Sequence, residues 1–369
     1  MAIGRSMTST KKLGNVNLVE CGPQETSSHS VSWNSTGSCL ALASSDRMAR
    51  LLDLSSLNAP SSTSTTASAR EILTITGHTR HVLKVRFHPR EANMLCTAAA
   101  DTSVRLWDVR GATQRAVGQI NVQHGQAALA VEWSPAVSSH ILAVTERNGT
   151  VYIYDTRKLS PAANATTTTQ RSNNNNSALC TYKLSPYIAE TCIFSPSGQH
   201  LVAGCSKRGQ GVAELRIWPW KENDKNAAAA VEQAASYPAH TGPIYSMQFS
   251  PNGKHLVTGG SDAIVGLFDT TTMCCEKTFT KRLKFIRSTV FSHDSQLLAI
   301  GTEEDGIEIA DVKTGLSVGS VSMGHRPRSG GAEEIAWHPK EYIVACARTD
   351  IAVGGPPTPA TVAKLTITS

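Results

Sequence analysis

The 369-residue sequence lacks any run of about 18 apolar residues, the length a helix needs to cross a bilayer, so no membrane-spanning helix is expected. Its opening residues, MAIGRSMTSTKK, carry no apolar core of the kind secretory leaders share, and no export leader is expected there. No Cys-x-x-Cys pair occurs among its nine cysteines, an odd number that argues against a disulfide framework. Several sit in apolar runs such as LVAGC and IVACA, which fits buried free thiols in a reducing, intracellular compartment. The twelve histidines form no HExxH, and no Cys/His cluster has zinc spacing, so no metal is expected. P-loop, GxGxxG and GxSxG patterns are absent too, which removes the usual signals for nucleotides, dinucleotide cofactors and the esterase type of nucleophile. No cofactor and no small-molecule substrate are expected. Charge is sparse at 17% and its balance, +6, is a mild bias that permits contact with nucleic acid without requiring it. The acidic run Glu303-Glu304-Asp305 reads as a solvated turn.

What the sequence does contain is a repeat. An aromatic residue followed by a turn recurs seven times, at Trp33, Phe87, Trp133, Phe194, Phe249, Phe291 and Trp337. The intervals run from 42 residues (Phe249 to Phe291) to 61 (Trp133 to Phe194), close to or above the roughly 40–45 of a four-stranded propeller blade. The longest intervals contain tracts poor in large apolar residues, at 55–70, 159–178 and 221–235, and a further insert lies at 352–360. These are expected to be disordered loops, the alanine-rich one with scope for a short exposed helix. Each anchor is preceded by period-two alternation, as in Leu83, Val85 and Phe87, and followed by an apolar run and a third strand such as VRLWDV or IEIADV. The expectation is an all-β, seven-bladed propeller over residues 14–369 behind a disordered tail at 1–13. The segment NVNLVE would supply the outer strand of the last blade and close the ring.

Two units carry the ingredients of a nucleophilic triad. His78, Thr97, Asp101 and Trp107 have counterparts in His240, Thr258, Asp262 and Phe268, with the hydroxyl four residues before the aspartate in both. An enzyme seldom carries one triad twice at repeat spacing, whereas a repeated fold needs one such network per blade. These residues are therefore expected to be structural: the aspartate fixes the histidine ring, which meets the strand hydroxyl, which meets the indole N–H. No catalytic residues are expected.

The recurring Gly-His, Asp and Trp-Asp elements resemble the WD-repeat β-propeller family from about residue 14 onward. The sixth unit ends GIEIADVKTG, with Ala310-Asp311 in place of Trp-Asp. It is preceded by FIRSTVFSHDSQLLAIGTEED and followed by IAWHPKEYIVACA. That ordered set is similar to the propeller-subunit family of the THO/TREX assembly, best from Tyr237 to Ala347 and next from Gly77 to Trp133. The first unit lacks the Gly-His. The resemblance implies a non-enzymatic nuclear scaffold, docked on larger THO subunits, in an assembly that couples transcription to mRNA packaging and export, with RNA contacted indirectly. Two other readings stay open: a generic adaptor such as a ubiquitin-ligase substrate receptor, and a propeller that binds RNA itself.

Candidate contact residues follow from composition. Lys281, Arg282, Lys284, Phe285 and Arg287 interleave basic and aromatic side chains, the chemistry of phosphate contact and base stacking. The competing reading is a solvated loop between two units, with Phe279 and Phe285 buried in strands. Arg80, Lys84, Arg86 and Arg90 form a second basic group, readable as charged strand edges, and GHRPRSGG (324–331) a third.

Overall fold

Among the described residues of the computed structural model, twenty-eight strands and one short α-helix form, numbered in chain order. The structure describes all residues except 1–10, 22–25, 55–68, 112–114, 123–126, 137–139, 147, 161–176, 208–210, 222–226, 280–283, 304–305, 323–330, 349–359 and 369. The strands make seven antiparallel four-stranded sheets, the seven blades of a β-propeller. The innermost strands are β2 (Ser28–Trp33), β6 (Val82–Phe87), β10 (Ala128–Trp133), β14 (Tyr187–Phe194), β18 (Ile244–Phe249), β22 (Ile286–Phe291) and β26 (Ala332–Trp337). Each ends on one of the seven aromatic anchors, and each touches its two neighbours in an unbroken cycle around a central channel. The apolar run after each anchor becomes the second strand, and in β3 (Cys39–Ser44), β11 (Ile141–Glu146), β23 (Leu297–Thr302) and β27 (Ile343–Arg348) every residue is buried. Both faces of such a strand are covered, which is why these segments read as continuous apolar runs rather than as alternation.

The hydrophobic core is divided into seven clusters, one at each junction between neighbouring blades. At the first junction, for example, Cys39, Ala41 and Leu51 meet Val82, Leu95 and Trp107. Polar stitches run beside the clusters. The Oγ atoms of Ser30 and Ser32 accept the backbone N–H groups of Val85 and Phe87 in the next blade, at 3.1 and 3.0 Å. Ser246, Gln248 and Ser288 repeat the pattern toward Thr289, Phe291 and Ile335. The three tryptophan anchors reach the other way: the indole N–H groups of Trp33, Trp133 and Trp337 donate to Ala336, Arg86 and Val290 carbonyls of the preceding blade. Inner strands with one free edge thereby satisfy backbone donors across the gap between sheets.

The last blade is completed by the N-terminal strand β1 (Lys12–Cys21), which pairs with β28 (Ala360–Thr368) from Lys12↔Thr368 to Cys21↔Ala360. Strand structure thus begins at Lys12, inside the tract expected to be a tail. Leu13 packs so closely on Gly319 of the sixth blade that a Cβ there would lie 2.7 Å from it, and Lys11 pairs with Asp311 at 3.2 Å. The alanine-rich tract at 221–235 contains the short helix it had scope for, α1 (Ala227–Glu232), but the helix is docked rather than wholly exposed: Val231 is buried against Cys180, Tyr182 and Trp218, and its carbonyl accepts from Arg216 Nη2 at 3.2 Å. At the ends of the 159–178 tract, Leu159 and Ala178 pack on the cluster between the second and third blades. The remaining interiors of the four inserts lie largely outside the described residues.

The closing blade is tied to the first by His338. Its Nε2 donates to the Gly37 carbonyl at 3.0 Å, and its Nδ1 accepts from the N–H groups of Lys340 and Glu341. Burial holds its pKa below the ordinary histidine value, against the opposing pull of the Gly37 carbonyl and Glu341. The unfolded chain therefore takes up this proton first, so the contribution of His338 is present above about pH 6.5 and lost as pH falls. The expected result is a lower melting temperature at pH 5.5 than at pH 7.5, with a smaller drop in His338→Asn, which places there the residue that Asn34 supplies in the first blade. Equal drops in the two proteins would exclude this assignment.

Candidate functional site

In the second blade β7 (Met94–Ala99) carries Thr97, β8 (Ser103–Asp108) carries Trp107, and the turn between them carries Asp101. His78 enters from the loop before β6. Its Nδ1 lies 3.0 Å from Asp101 Oδ2 and its Nε2 2.7 Å from Thr97 Oγ1, while Trp107 Nε1 donates to the same Thr97 oxygen at 2.8 Å. The set is satisfied when Nδ1–H donates to the carboxylate and Nε2 accepts the threonine O–H. Burial raises the Asp101 pKa, but hydrogen bonds from His78, the Thr79 N–H and Ser103 outweigh it and hold the carboxyl well below the usual range. The fifth blade repeats the geometry. His240 Nδ1 is 2.9 Å from Asp262 and its Nε2 2.8 Å from Thr258 Oγ1, and Phe268 occupies the tryptophan position without an N–H to give.

Hydroxyl, imidazole and carboxylate are connected here in the order a nucleophilic triad uses. The surroundings differ. Thr97 is 0% exposed and its oxygen is already engaged by the Trp107 N–H, so a substrate has no approach to it. A hydroxyl in that state can brace three chain segments, and it cannot attack a carbonyl.

A second constellation lines the channel. Lys84 Nζ is 3.1 Å from Glu334 Oε2, Arg86 pairs with the other oxygen of Glu334, and Arg86 Nε stands 3.9 Å from Glu132. Arg86 Nη1 also donates to Ser30 Oγ, so the network runs through the seventh, first, second and third blades. Lys84 and Arg86 are thus neutralised inside the ring rather than displayed along a strand edge. The two carboxyls are pushed apart. Burial raises Glu132 to about 7, with Arg86 opposing and Glu334 reinforcing, whereas Arg86 and Lys84 overcome burial at Glu334 and hold it low.

The basic and aromatic segment lies near one mouth of the channel. Lys281 and Arg282 fall outside the described residues. Lys284 and Phe285 are exposed, Phe285 outside any strand, and Phe279 ends β21 (Cys275–Phe279) half-buried. Arg287 is engaged: Glu303 accepts its Nε–H at 3.0 Å, and its guanidinium lies 4.8 Å from the Tyr245 ring centre and 5.9 Å from that of Phe285. Arg80 and Arg90 are exposed, and all of GHRPRSGG but Gly331 lies outside the described residues. Sequence reasoning missed Glu132, Glu334 and Tyr245, and it read Glu303 as part of a solvated turn where the structure pairs it with Arg287. Aligning the inner strands on their anchors places Glu132 beside Arg86, and Glu334 beside Lys84, one and three residues before the anchor. Among the described residues no group of three or more His, Cys, Asp and Glu could hold a metal, and no helix is long and apolar enough to cross a membrane.

The sequence pattern of the family described as "WD domain, G-beta repeat" matches residues 69–108 and 231–269, the stretches that hold the two His-Thr-Asp sets. Across its length the chain is similar to "THO complex subunit 3" of Arabidopsis thaliana, 26% identical over 322 residues that cover 87% of this chain and 86% of that protein. It is also similar to "WD repeat-containing protein AAC3" of Dictyostelium discoideum, 25% identical over 329 residues, 87% of this chain and 61% of that longer protein. A shorter likeness, 25% over 197 residues, links it to "Pre-mRNA-processing factor 19 homolog 2" of Arabidopsis thaliana and covers 53% of this chain and 32% of that protein. Seven four-stranded blades and a closing N-terminal strand make the chain a seven-bladed β-propeller, and WD40 repeats are found in it at residues 69–108 and 231–269.

Proposed function

We propose that this chain is a non-catalytic scaffold subunit of a nuclear THO/TREX-type assembly that couples transcription to mRNA packaging and export. The ring surface docks onto larger subunits of that assembly. The observation that supports the reading most is the likeness to THO complex subunit 3, which extends over 87% of this chain and 86% of that protein rather than over one repeat motif. The stitched inner strands give such a subunit a rigid ring whose loops and turns can vary in contact chemistry without disturbing the blades. The His-Thr-Asp sets serve that rigidity. In affinity purification of the tagged protein followed by mass spectrometry, subunits of a THO-type assembly are the expected companions. A recovered set without them would overturn the assignment.

A further inference from the structure

Five blades carry an aspartate at the end of the third strand, Asp53, Asp108, Asp155, Asp269 and Asp311, and the last four use it in two ways. In the fifth and sixth blades Asp269 and Asp311 each hold a threonine turn, through the N–H and hydroxyl of Thr272 and Thr314. In the second and third blades, which are neighbours, the aspartate holds an arginine two residues on. Arg110 Nε donates to both oxygens of Asp108 at 2.9 and 3.0 Å, and Arg157 donates to Asp155 through Nε and Nη2 at 3.0 and 2.8 Å. The repeated Asp-x-Arg therefore fixes two guanidinium groups on one face of adjacent blades.

The inner turns connect them. The Val109 N–H donates to the Asn93 carbonyl, and Arg90 Nη2 reaches from the second blade to the Pro135 carbonyl of the third at 3.3 Å. His140 lies 3.9 Å from Glu91, and its carbonyl accepts from the N–H and hydroxyl of Thr156, beside Arg157. At the two Asp-x-Arg turns the cations stand above the carboxylates, while Glu91 between them is itself exposed beside His140. The side chains of Arg110, Arg157 and Lys158 are 71%, 58% and 60% exposed, while those of Asp108 and Asp155 beneath them are 23% and 0% exposed.

We infer that this ridge, Arg90, Arg110, His140, Arg157 and Lys158, is a docking surface for the phosphodiester backbone of single-stranded RNA. Its four arginine and lysine cations outnumber Asp108, Asp155 and Glu91 beside them, and guanidinium groups already held in one orientation lose less freedom on meeting a phosphate. None of the exposed large apolar side chains (Leu18, Ile72, Val117, Val212, Phe285 and Leu316) belongs to these turns. A protein partner is anchored by an apolar, desolvated centre, whereas a phosphate backbone needs charge alone, so the ridge fits RNA better than a protein. The mouth near Arg287 fits less well, because among the described residues Lys284 and Arg287 are matched there by Glu303 and Glu190 and leave no excess of positive charge. The assignment to RNA rather than another polyanion rests on the mRNA-assembly reading above.

The test is fluorescence anisotropy of the purified full-length chain with a labelled, mixed-sequence single-stranded RNA of about 20 nucleotides, at about 50–200 mM salt. The expected result is binding that weakens with salt at a log–log slope of about −2 to −3, as for three or four phosphate contacts. Replacing Arg110, Arg157 and Lys158 together by glutamine should weaken it by about tenfold and flatten the slope. Lys158→Gln alone leaves both Asp-x-Arg pairs intact and should give a partial loss, which keeps the inference testable if the triple variant is unstable. Lys284→Gln with Arg287→Gln should leave binding unchanged. The inference is overturned by an absence of RNA binding at the lowest salt, by a folded triple variant that binds as tightly as the wild type, by loss on changing Lys284 and Arg287, or by equal competition from polyglutamate. Co-purification of assembly subunits with the triple variant reads the scaffold assignment separately. Its loss in the wild type would sink that assignment whatever the RNA result.

Discussion

Thr97→Val lowers the stability of the folded chain by about 3 kcal/mol, and Thr258→Val by about half as much. The substitution keeps the shape and removes one oxygen. In the second blade that oxygen serves two buried partners, the His78 imidazole and the Trp107 indole, and both lose their hydrogen bond in a place water does not reach. In the fifth blade His240 is the one side chain that depends on the hydroxyl, which otherwise makes a long 3.5 Å contact to the Gly266 carbonyl, because Phe268 has nothing to donate. Leaving a buried polar group without a partner costs about 1–3 kcal/mol, so one site loses about twice what the other does. Urea unfolding of the two variants beside the wild type measures the difference. Equal losses would mean that the tryptophan N–H contributes nothing to the brace.

Glu132→Gln makes the ring more stable above neutral pH and changes little near pH 5. Glu132 keeps its proton to about 7 in the folded chain, well above the value for an unfolded glutamate. A group whose pKa is raised by folding stabilises the fold while protonated. That contribution is complete below about pH 4.5 and is lost as pH rises through 7. Glutamine preserves the uncharged shape at every pH. Since Glu132 faces the channel and is partly solvated, the gain at pH 8 is about 1 kcal/mol rather than the full value of the shift. Thermal melts of both proteins from pH 5 to 8.5 should converge at the acid end and separate at the alkaline end. Curves that run parallel would show that Glu132 is not the titrating group.

Much of the fold is written locally. The seven anchors mark the ends of the seven inner strands because the aromatic closes a period-two strand and the following turn residues break it. The closing role of the first strand follows from the last unit, which shows three strands in sequence where the other blades have four. What the sequence conceals is what the ring brings together. Lys84 and Glu334 are 250 positions apart and meet only because the seventh blade lies one blade from the second. Alternation shows that Lys84 and Arg86 share a strand face, and it cannot show that the face lines a channel with two glutamates in it. Val231 is hidden for another reason. A single valine in an alanine-rich tract carries no periodicity, yet a helix of six residues is long enough to bury it. Arg287 reads as a free cation until the fold places Glu303 and Tyr245 beside it.

The central claim is that the histidine sets hold the platform together while partners bind to its surface. The most direct measurement is recovery of partner subunits by His78→Ala at a temperature where circular dichroism shows the variant folded. That variant loses about 1–3 kcal/mol of stability by leaving Asp101 and Thr97 without their shared partner. The variant is expected to recover the same subunits, in the same proportions, as the wild type. A folded His78→Ala protein that recovers none of them would contradict the claim and place His78 in a working site.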